Sequence, residues 1–464
     1  MTITETDTGI AGAGLPRLID DVAEARRLLT RRRGFEETQL SPKMQDGIRR
    51  VFGEDLTADE AVTRILEDVR HEGDAAVREY SLALQGKTPS NLEVPRSAWK
   101  KAFDALDPEL QDALRLSAGQ IESFHRKQLR TSWMDYSAEG ALGQVVRPLE
   151  RVGIYTPGGT AVYPSSLLMT AIPARVAGVS EIIVCSPSGP DGRVSPLVLA
   201  AAEVANVDRL FAVGGAQAIG AMAYGTATIP HVDKILGPGN IFVVLAKQQV
   251  YGIVDIDQLP GPTETLLVAD ESANPTLAAA DMLAQAEHDP MATAILLTSS
   301  PMLAHAVLDE LPGQLAELER ADIAGQSLAA NGLIVITPDI VTAISLANAY
   351  APEHLCLLLS DPWSMVPLVR NAGGIFIGED SPEAIGDYTA GPSHVMPTGG
   401  TARFSSPINV AEFTKVISVA ALNRAALRRL GPATAQFARA EGLTAHARAV
   451  ERRLEALASE EEDY

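Results

Sequence analysis

Short apolar segments alternate with helical patterns through the central part of this chain, and this alternation constrains the fold more than any other feature. Each apolar segment is bounded by Gly, Pro or polar residues, and a stretch with helical spacing of apolar residues separates most of them. Strands that alternate with helices in this way form parallel, doubly wound sheets. The sequence therefore predicts an α/β fold with two doubly wound, Rossmann-like units, the first containing ERVGIY, EIIVC, RLFAVGG and DKILG and the second ETLLVAD, TAILLTSS, GLIVITP, LCLLLS and GGIFIG.

The segments on either side of the predicted sheets are mostly helical. Between residues 18 and 131 the apolar residues keep a helical period, and Thr57 with Glu60 has the pattern of a capping box. We predict a disordered N-terminus over residues 1–17, a helical N-terminal region over 18–131, a first α/β unit over 132–262, a second over 263–385, a functional loop and closing helices over 386–457, and a disordered acidic tail over 458–464.

The composition excludes two classes of partner. The formal net charge of −21 disfavours nucleic acid and anionic membrane surfaces. No run approaches the roughly 18 uninterrupted apolar residues of a membrane span, and the first residues lack the apolar core of a signal peptide. The two cysteines, Cys185 and Cys356, lie in apolar runs as buried thiols would. A cytoplasmic protein is the expectation.

The helical segment PTLAAADMLAQAEH ends in polar residues that have two interpretations. Gln285 and His288 are three positions apart, so a helix would direct both side chains to one side. A histidine near a helix C-terminus is stabilised by the helix dipole without any ligand. A pair of metal ligands is the alternative, although Gln is an uncommon ligand of zinc.

Two further stretches place titratable side chains where strands and helices meet. Glu353 and His354 follow a Pro and precede the apolar run LCLLL, so they belong either to a solvated turn or to a pair that divides acid and base chemistry. Asp387 and His394 lie in the long stretch GDYTAGPSHVMPTGGTARF, which is either a connector or a binding loop.

A last polar stretch, EGLTAH, lies near the end of the chain. Glu441 and His446 are five positions apart, which places them on different faces of a continuous helix, and Gly442 favours a break between them. On this spacing a solvated helix end is the simpler interpretation.

Three Gly-rich turns are candidates for nucleotide binding. YTPGGTAVYPSS, VGGAQAIGAM and LGPGNIF each follow a predicted strand and precede a helix, where backbone N–H groups and the helix dipole hold phosphate. None has the spacing G-x-G-x-x-G followed by an acid for the ribose. The spacing alone supports a nucleotide and does not identify a nicotinamide.

Taken in order along the chain, these stretches resemble histidinol dehydrogenase. The resemblance extends from the helical N-terminal region through the last helices and rests on YTPGGTAVYPSS, VGGAQAIGAMAYGT, VDKILGPGNIF, GPTET, QAEHDP, APEHL, GDYTAGPSHVMPTGGTARF and EGLTAH. It implies a zinc- and NAD-dependent enzyme that oxidises L-histidinol through L-histidinal to L-histidine, the final step of histidine biosynthesis. It also implies a homodimer in which residues 386–457 contribute to the interface and the C-terminal segment completes the partner's site.

The resemblance assigns roles to individual residues. The zinc ligands would be Gln285, His288, Asp387 and His446, and the catalytic acid/base pair would be Glu353 and His354. NAD would contact Tyr155, Gln217 and Asn240. Substrate would contact Thr263, His354, His394 and Glu441 as well as the four zinc ligands.

The residue types suit two successive oxidations. Zinc would position the substrate. His354 would accept the alcohol proton as hydride leaves for the nicotinamide, and Glu353 would activate water for attack on the aldehyde, after which His354 would accept a further proton. Thr263 stands where the family commonly has Ser, and Ser393 where it often has Asn; we expect substrate binding to survive the first change and the anchoring of the loop to depend on the second.

Three other functions fit parts of the pattern. A sister dehydrogenase for another small alcohol would keep zinc, Glu353 and His354 but alter the substrate contacts, whereas His394 and Glu441 are retained here. A zinc hydrolase would leave the Gly-rich turns without a purpose. A non-catalytic binding protein of two lobes would not need acid/base residues together with metal ligands.

Overall fold

The described part of the chain begins with a strand that belongs to the edge of the second sheet, and with a series of helices. The computed structural model describes residues 14–30, 40, 42–87, 90–158, 163–189 and 191–462. Its first elements are β1 (Arg17–Ile19), α1 (Val22–Leu29), α2 (Pro42–Phe52), α3 (Ala58–Glu72), α4 (Asp74–Gln85), α5 (Arg96–Asp104) and α6 (Pro108–Arg126). The capping box of α3 is present, because Thr57 accepts from the Glu60 N–H and Glu60 accepts from the Thr57 N–H.

The first parallel sheet has the strand order β6-β5-β4-β7-β8. Two hairpin strands precede it, β2 (Trp133–Ser137) and β3 (Gly140–Pro148). Its elements are β4 (Arg151–Tyr155), α7 (Pro164–Ala177), β5 (Glu181–Cys185), α8 (Pro196–Val204), β6 (Arg209–Phe211), α9 (Gly215–Tyr224), β7 (Lys234–Leu236), α10 (Ile241–Val250) and β8 (Asp255–Ile256). The strand order reverses between β4 and β7, and ligands of open α/β sheets bind outside the carboxyl ends of strands at such a point.

The second parallel sheet has the order β1-β11-β10-β9-β12-β13. It contains β9 (Glu264–Ala269), α11 (Pro275–Ala286), β10 (Thr293–Thr298), α12 (Pro301–Ala316), α13 (Ala321–Asn331), β11 (Leu333–Ile336), α14 (Ile340–Tyr350), β12 (His354–Leu358), β13 (Gly374–Ile377) and the short α15 (Glu383–Tyr388). All strand pairs in both of these sheets are parallel, which confirms the predicted fold class.

The apolar runs that predicted the strands are buried on both faces. In β9, Leu267 packs with α11 and α12 on one side, whereas Leu266 and Val268 pack with α1 and α14 on the other. Sheets covered by helices on both faces bury every strand residue, so their strands read as continuous apolar runs. Each strand therefore ends where its buried apolar run ends, and this places the polar residues that flank the strand at the edge of the sheet.

A third, antiparallel sheet combines two strands from the start of the predicted first α/β unit with one strand from the C-terminal segment. Its order is β14-β3-β2, where β14 (Thr414–Leu422) pairs with β3 along its whole length. The chain ends in the helices α16 (Arg424–Ala440) and α17 (Thr444–Glu462). No helix of the described residues combines the length and the apolarity needed to cross a bilayer.

Several predicted boundaries differ from the structure. Residues 1–13 of the predicted disordered N-terminus lie outside the described residues, but Arg17 begins a strand that gains its backbone partners from β11. The predicted closing helices are interrupted by β14, whose partner β3 is remote in sequence. The predicted acidic tail, 458–464, belongs to α17 as far as Glu462. The apolar spacing of PWSMVPLVRNA, residues 362–372, also predicts a helix, but the structure has only a 3₁₀ turn there, Val366–Leu368. Helix α13 was not predicted.

Candidate active site

A tight turn places Glu353 and His354 at the amino end of β12. Helix α14 ends at Tyr350, and Ala351 takes a left-handed conformation with φ 60° that is uncommon for a residue with a Cβ. Pro352 then directs the chain into the strand. Both Glu353 and His354 are buried, with exposed fractions of 6% and 3%. The interpretation of this stretch as a solvated turn is therefore wrong.

The backbone of Glu264 fixes both members of the pair. Its N–H donates to Oε2 of Glu353 at 3.0 Å, and its carbonyl lies 3.1 Å from Nδ1 of His354. A carbonyl only accepts, so Nδ1 carries the hydrogen of this bond and Nε2 is the free nitrogen of the neutral ring. Thr263 donates its hydroxyl to the same Glu353 oxygen at 2.5 Å. The carboxyl and the imidazole are thus held side by side, with 3.7 Å between Glu353 Oε2 and His354 Nδ1.

Burial and mutual charge set the protonation of this pair. Burial raises the pKa of Glu353, against the opposing influence of His354 and of the bonds from Thr263 and Glu264. Burial alone would lower the pKa of His354, but the carboxylates of Glu383, Glu353 and Asp387 outweigh it and raise that pKa well above its usual value. Burial, and then the charge of Glu353, raise the pKa of Glu264 to about 8, so its side chain is largely protonated at neutral pH.

A cavity opens next to Glu383 and Asp387, the two carboxyl groups that approach the ring of His354. Its volume is about 160 Å³, and its walls include His288, Arg320, Glu383 and Asp387. Nε2 of His354 lies 3.4 Å from Oδ1 of Asp387, yet neither atom has a hydrogen-bond partner among the described residues. Buried polar atoms of native proteins are nearly always satisfied. The two atoms form an ion pair when His354 is protonated, without hydrogen-bond geometry, so each retains the capacity to bind a further group.

Gln285 and His288 lie on the α11 side of this region. Gln285 is in the last turn of α11, whereas His288 lies beyond the helix end at Ala286, so the two are not both on a continuous helix as the spacing suggested. Nδ1 of His288 is 3.1 Å from the carbonyl of Ala284, which leaves Nε2 available. Gln285 is completely buried, and its Nε2 has no partner among the described residues.

Asp387 lies on α15, not in the loop to which the sequence assigned it. Burial would raise its pKa, but His354, His394 and His288 together lower it, so Asp387 is a carboxylate. Potential ligand atoms of His354, Glu383 and Asp387 all lie within 4.8 Å of one another. Sequence reasoning missed Glu383, although its spacing of four from Asp387 on α15 gives the signal that both face one side.

Two residues expected to contact substrate have protein partners. The Thr263 hydroxyl is bonded to Glu353. His394 uses both ring nitrogens, Nδ1 with the carbonyl of Asp387 at 2.7 Å and Nε2 with the hydroxyl of Ser166 at 3.0 Å. His394 thereby fixes the backbone of Asp387. The neighbouring Ser393 donates to the carbonyl of Met169 at 3.2 Å and accepts from the Val395 N–H, so the loop is anchored without an Asn.

The residues expected to contact NAD lie at the carboxyl edge of the first sheet. Tyr155 ends β4 and accepts at its hydroxyl from the Gly215 N–H. Gln217 is completely buried in the first turn of α9, and neither atom of its amide has a partner among the described residues. Asn240 caps the N-terminus of α10 by accepting from the N–H groups of Phe242 and Val243. The edge thus offers a buried amide and two helix N-termini.

Glu441 and His446 lie in the turn between α16 and α17 and at the start of α17, and both are exposed. Among the described residues, no hydrogen bond or ion pair joins either side chain to the cavity residues. Of the predicted ligand set, His288 and Asp387 line one cavity within a single chain, and Gln285 is linked through Thr265 to Glu383 of the cavity wall, whereas His446 lies outside it.

Comparison with known proteins decides the family. The model of the histidinol dehydrogenase family matches residues 49–454. The chain is 53% identical over 434 residues to the histidinol dehydrogenase of Deinococcus radiodurans, which covers 93% of this chain and 98% of that protein. It is 54% identical over 405 residues to that of Thermus thermophilus, covering 87% and 97%. The chain belongs to the histidinol dehydrogenase family.

The fold agrees with this membership. The crystal structure of histidinol dehydrogenase from Elizabethkingia anophelis superimposes with a TM-score of 0.87 and 33% identity, covering 96% of this chain and 98% of that one. The predicted resemblance is confirmed, and the chain is an oxidoreductase of the histidinol dehydrogenase family. The buried Glu353 and His354, and the cavity lined by Glu383 and Asp387, are the features in which we expect the family's chemistry.

Proposed function

We propose that this chain oxidises L-histidinol through L-histidinal to L-histidine with two molecules of NAD, the last step of histidine biosynthesis. The observation that carries the proposal is the pairing of Glu353 and His354 through the backbone of Glu264, next to buried polar atoms that lack partners among the described residues. A carboxyl and an imidazole fixed in this way serve the two proton transfers that the two oxidations need.

We propose zinc as the metal, held by Gln285, His288, Asp387 and the partner's His446. Nε2 of His288 is available, and Asp387 is a carboxylate whose Oδ1 accepts no hydrogen bond from the described residues. Gln285 is buried, and its Nε2 has no hydrogen-bond partner among them. Nitrogen and oxygen donors of this kind suit zinc. When bound, zinc would position the substrate's amine and imidazole and offset negative charge near His354, which favours the neutral imidazole that a base must be.

The chain's own residues account for the proton transfers. In the first oxidation, Nε2 of His354 accepts the hydroxyl proton while hydride leaves the substrate carbon for the nicotinamide, giving the aldehyde. In the second, Glu353 accepts a proton from the water that attacks the aldehyde carbon. After it has released the first proton to solvent, His354 accepts the remaining hydroxyl proton of the resulting hydrate anion as the second hydride leaves, giving the carboxylate. Thr263 and Glu264 hold Glu353 in place through both steps.

NAD binding at the first sheet is supported by the buried, unpartnered amide of Gln217 and by the helix N-termini at Gly214 and Asn240. These groups lie beyond the carboxyl ends of β6 and β7, where nucleotides bind in open α/β sheets. A cytoplasmic location is supported by Cys185 and Cys356, which are both free and buried.

One assay tests the proposed activity together with its metal. Purified protein supplied with L-histidinol and excess NAD is expected to form two NADH per histidinol, because both oxidations occur on one enzyme. Treatment with a chelator is expected to abolish turnover, and added Zn²⁺ to restore it. Turnover with another small alcohol but not with histidinol would contradict the proposed substrate, and full activity in metal-free protein would contradict the zinc.

We also propose a homodimer in which Glu441 and His446 serve the partner's site. The helices α16 and α17 pack on each other around Ala435, Ala438 and Ala447, and contact the β2–β3 turn through the ion pair of Arg429 with Glu139. They carry exposed apolar side chains, as does the antiparallel sheet from which they extend; these include Trp133, Leu142, Val416, Ile417, Phe437 and Leu443. Exposed apolar surface of this extent is typical of an interface.

Mixed dimers test which subunit supplies the C-terminal residues. A dimer of one His354→Asn subunit and one His446→Ala subunit, purified through two different tags, has one intact site only if His446 acts in the partner. We expect about half the wild-type activity in that dimer, because a two-fold dimer has two equivalent sites. Each variant's own homodimer, expected to be inactive, is the control. An inactive mixed dimer would show that His446 acts within its own subunit.

A further inference from the structure

A buried hydroxyl connects two side chains beside the proposed metal site. Thr265 lies next to His354 in the register of β9 with β12 and is completely buried. Its Oγ1 is 3.2 Å from the amide atom of Gln285 that is assigned as Oε1, and it forms a shorter hydrogen bond with Oε2 of Glu383. Gln285 is also completely buried, and Glu383 is 3% exposed. No role in the reaction proposed above uses Thr265 or Glu383.

The direction of these two hydrogen bonds determines which amide atom of Gln285 points toward Thr265 and which points away from it. A hydroxyl has one hydrogen, so Thr265 donates to only one of its neighbours, and an ionised carboxylate only accepts. If Thr265 donates to Glu383, then Gln285 must donate to Thr265 through Nε2. The two ends of an amide are assigned from such networks. This orientation gives a partner to Nε2, which otherwise has none among the described residues, and turns Oε1 away from Thr265.

We propose that Thr265 and Glu383 are positioning residues that orient the Gln285 carboxamide so that its oxygen, and not its nitrogen, faces the metal. This inference rests on the proposed zinc site. An amide oxygen has lone pairs for a cation, whereas the amide nitrogen carries hydrogens and repels it. Hydrogen bonds from outside the ligand set commonly fix the orientation of metal ligands in this way. Three buried groups in series, carboxylate, hydroxyl and amide, thus make Gln285 a usable ligand.

The affinity for Zn²⁺ tests the role of the hydroxyl without any turnover. Metal-free wild type, Thr265→Val and Thr265→Ser are titrated with Zn²⁺ against a chromophoric chelator, and circular dichroism and thermal midpoints check that each is folded. Val matches the shape of Thr but lacks the hydroxyl, so we expect its Kd for zinc to rise about 10- to 100-fold. Ser keeps the hydroxyl and is expected to retain an affinity close to that of the wild type. An unchanged Kd for Thr265→Val, or equal losses in both variants, would overturn the proposal.

A double-mutant cycle tests whether Glu383 acts through Thr265. Glu383→Gln alone is expected to weaken zinc binding. A Gln amide can donate to the Thr265 hydroxyl, which then donates to the oxygen of Gln285, so the direction of both hydrogen bonds is reversed. Added to Thr265→Val, Glu383→Gln should change Kd by no more than about twofold further. Losses that multiply would mean that the charge of Glu383 acts directly on the metal, and would overturn its positioning role. A wild type that binds no zinc would instead refute the zinc site itself, whereas a zinc-binding, active wild type with an unaffected Thr265→Val variant refutes the positioning alone.

Discussion

Replacing Glu353 with Gln is expected to slow the oxidation of L-histidinal by a factor of about 10² to 10⁴, the usual contribution of a general base. The oxidation of L-histidinol should be affected much less. The alcohol step needs one proton acceptor, for which we propose His354, whereas the aldehyde step also needs a base for the attacking water. Gln has the shape of Glu and accepts hydrogen bonds, but it is not basic.

The surroundings of Glu353 make this substitution a specific one. Oε2 accepts from the Thr263 hydroxyl at 2.5 Å and from the Glu264 N–H at 3.0 Å. The carbonyl oxygen of Gln can accept both bonds, so the side chain keeps its place and its NH₂ group replaces the second carboxylate oxygen. His354 keeps its bond to the Glu264 carbonyl, because that bond involves backbone only on the Glu264 side. The base is lost while the imidazole stays in position.

Separate half-reactions measure the effect. Single turnovers that start from histidinol and from histidinal, each followed by NADH formation, give the two rates, and Thr263→Ser serves as a control that keeps the hydroxyl bonded to Glu353. In the wild type, the aldehyde step should also lose activity as the pH falls through the pKa of Glu353, which burial raises above that of an ordinary carboxyl. Equal losses in both half-reactions of Glu353→Gln would contradict the division of labour between Glu353 and His354.

The two parallel sheets were predictable because their strands are buried on both faces. A run such as that of β9 has no polar residue from Leu266 to Ala269, and both of its faces enter apolar clusters. The apolar runs therefore predict the order in which the strands and helices of the two sheets follow one another along the chain. The two elements it missed at the ends, β1 and β14, depend on partners remote in sequence, since β1 completes the edge of the second sheet and β14 covers β3. A strand at a sheet edge has a weaker pattern than a central strand.

The site was predictable only in part, because some of its contacts also join residues that are remote in sequence. Glu353 and His354 stand out because polar residues directly precede an apolar run. The roles that we propose for Thr265 and Glu383 depend on a contact between residues 118 positions apart, and a single sequence carries no signal for that contact. Thr265 reads as one residue of an apolar strand, and Glu383 as one acidic residue in a polar segment. The buried pair formed by Lys247 and Asp257 is a further case, because Lys247 lies in a helix whose other residues are largely apolar.

Replacing Lys247 with Met is expected to lower the free energy of unfolding by about 3–5 kcal/mol, the cost of leaving one member of a buried ion pair without its partner. Lys247 is completely buried, and its ammonium group bonds to Asp257 and to the carbonyl of Gly237. Asp257 accepts in turn from the Gly237 N–H at 2.8 Å. Met fills a similar volume but leaves the Asp257 carboxylate buried without a cation.

The matched controls separate charge from shape. Lys100→Met, at an exposed lysine that pairs with Asp104, is expected to change stability by no more than about 0.5 kcal/mol. Asp257→Asn added to Lys247→Met removes the unpaired charge and keeps an acceptor for Gly237, so it should recover much of the loss. Thermal and urea midpoints at one protein concentration give the comparison. A midpoint for Lys247→Met as high as that of Lys100→Met would contradict the importance of the pair.

Lys247→Met is also expected to raise the KM for NAD more than the KM for histidinol. Gly237 has φ +109°, and a Cβ at this position would lie 2.1 Å from the carbonyl oxygen of Tyr155, so the turn after β7 packs directly on the end of β4. Lys247 and Asp257 bond to the carbonyl and the N–H of Gly237, and thereby hold the turn that leads to Asn240. Steady-state kinetics with each substrate varied measure the two constants. Because the pair lies at the first sheet and the acid/base residues at the second, a rise confined to histidinol would mean that the turn does not belong to the nucleotide site.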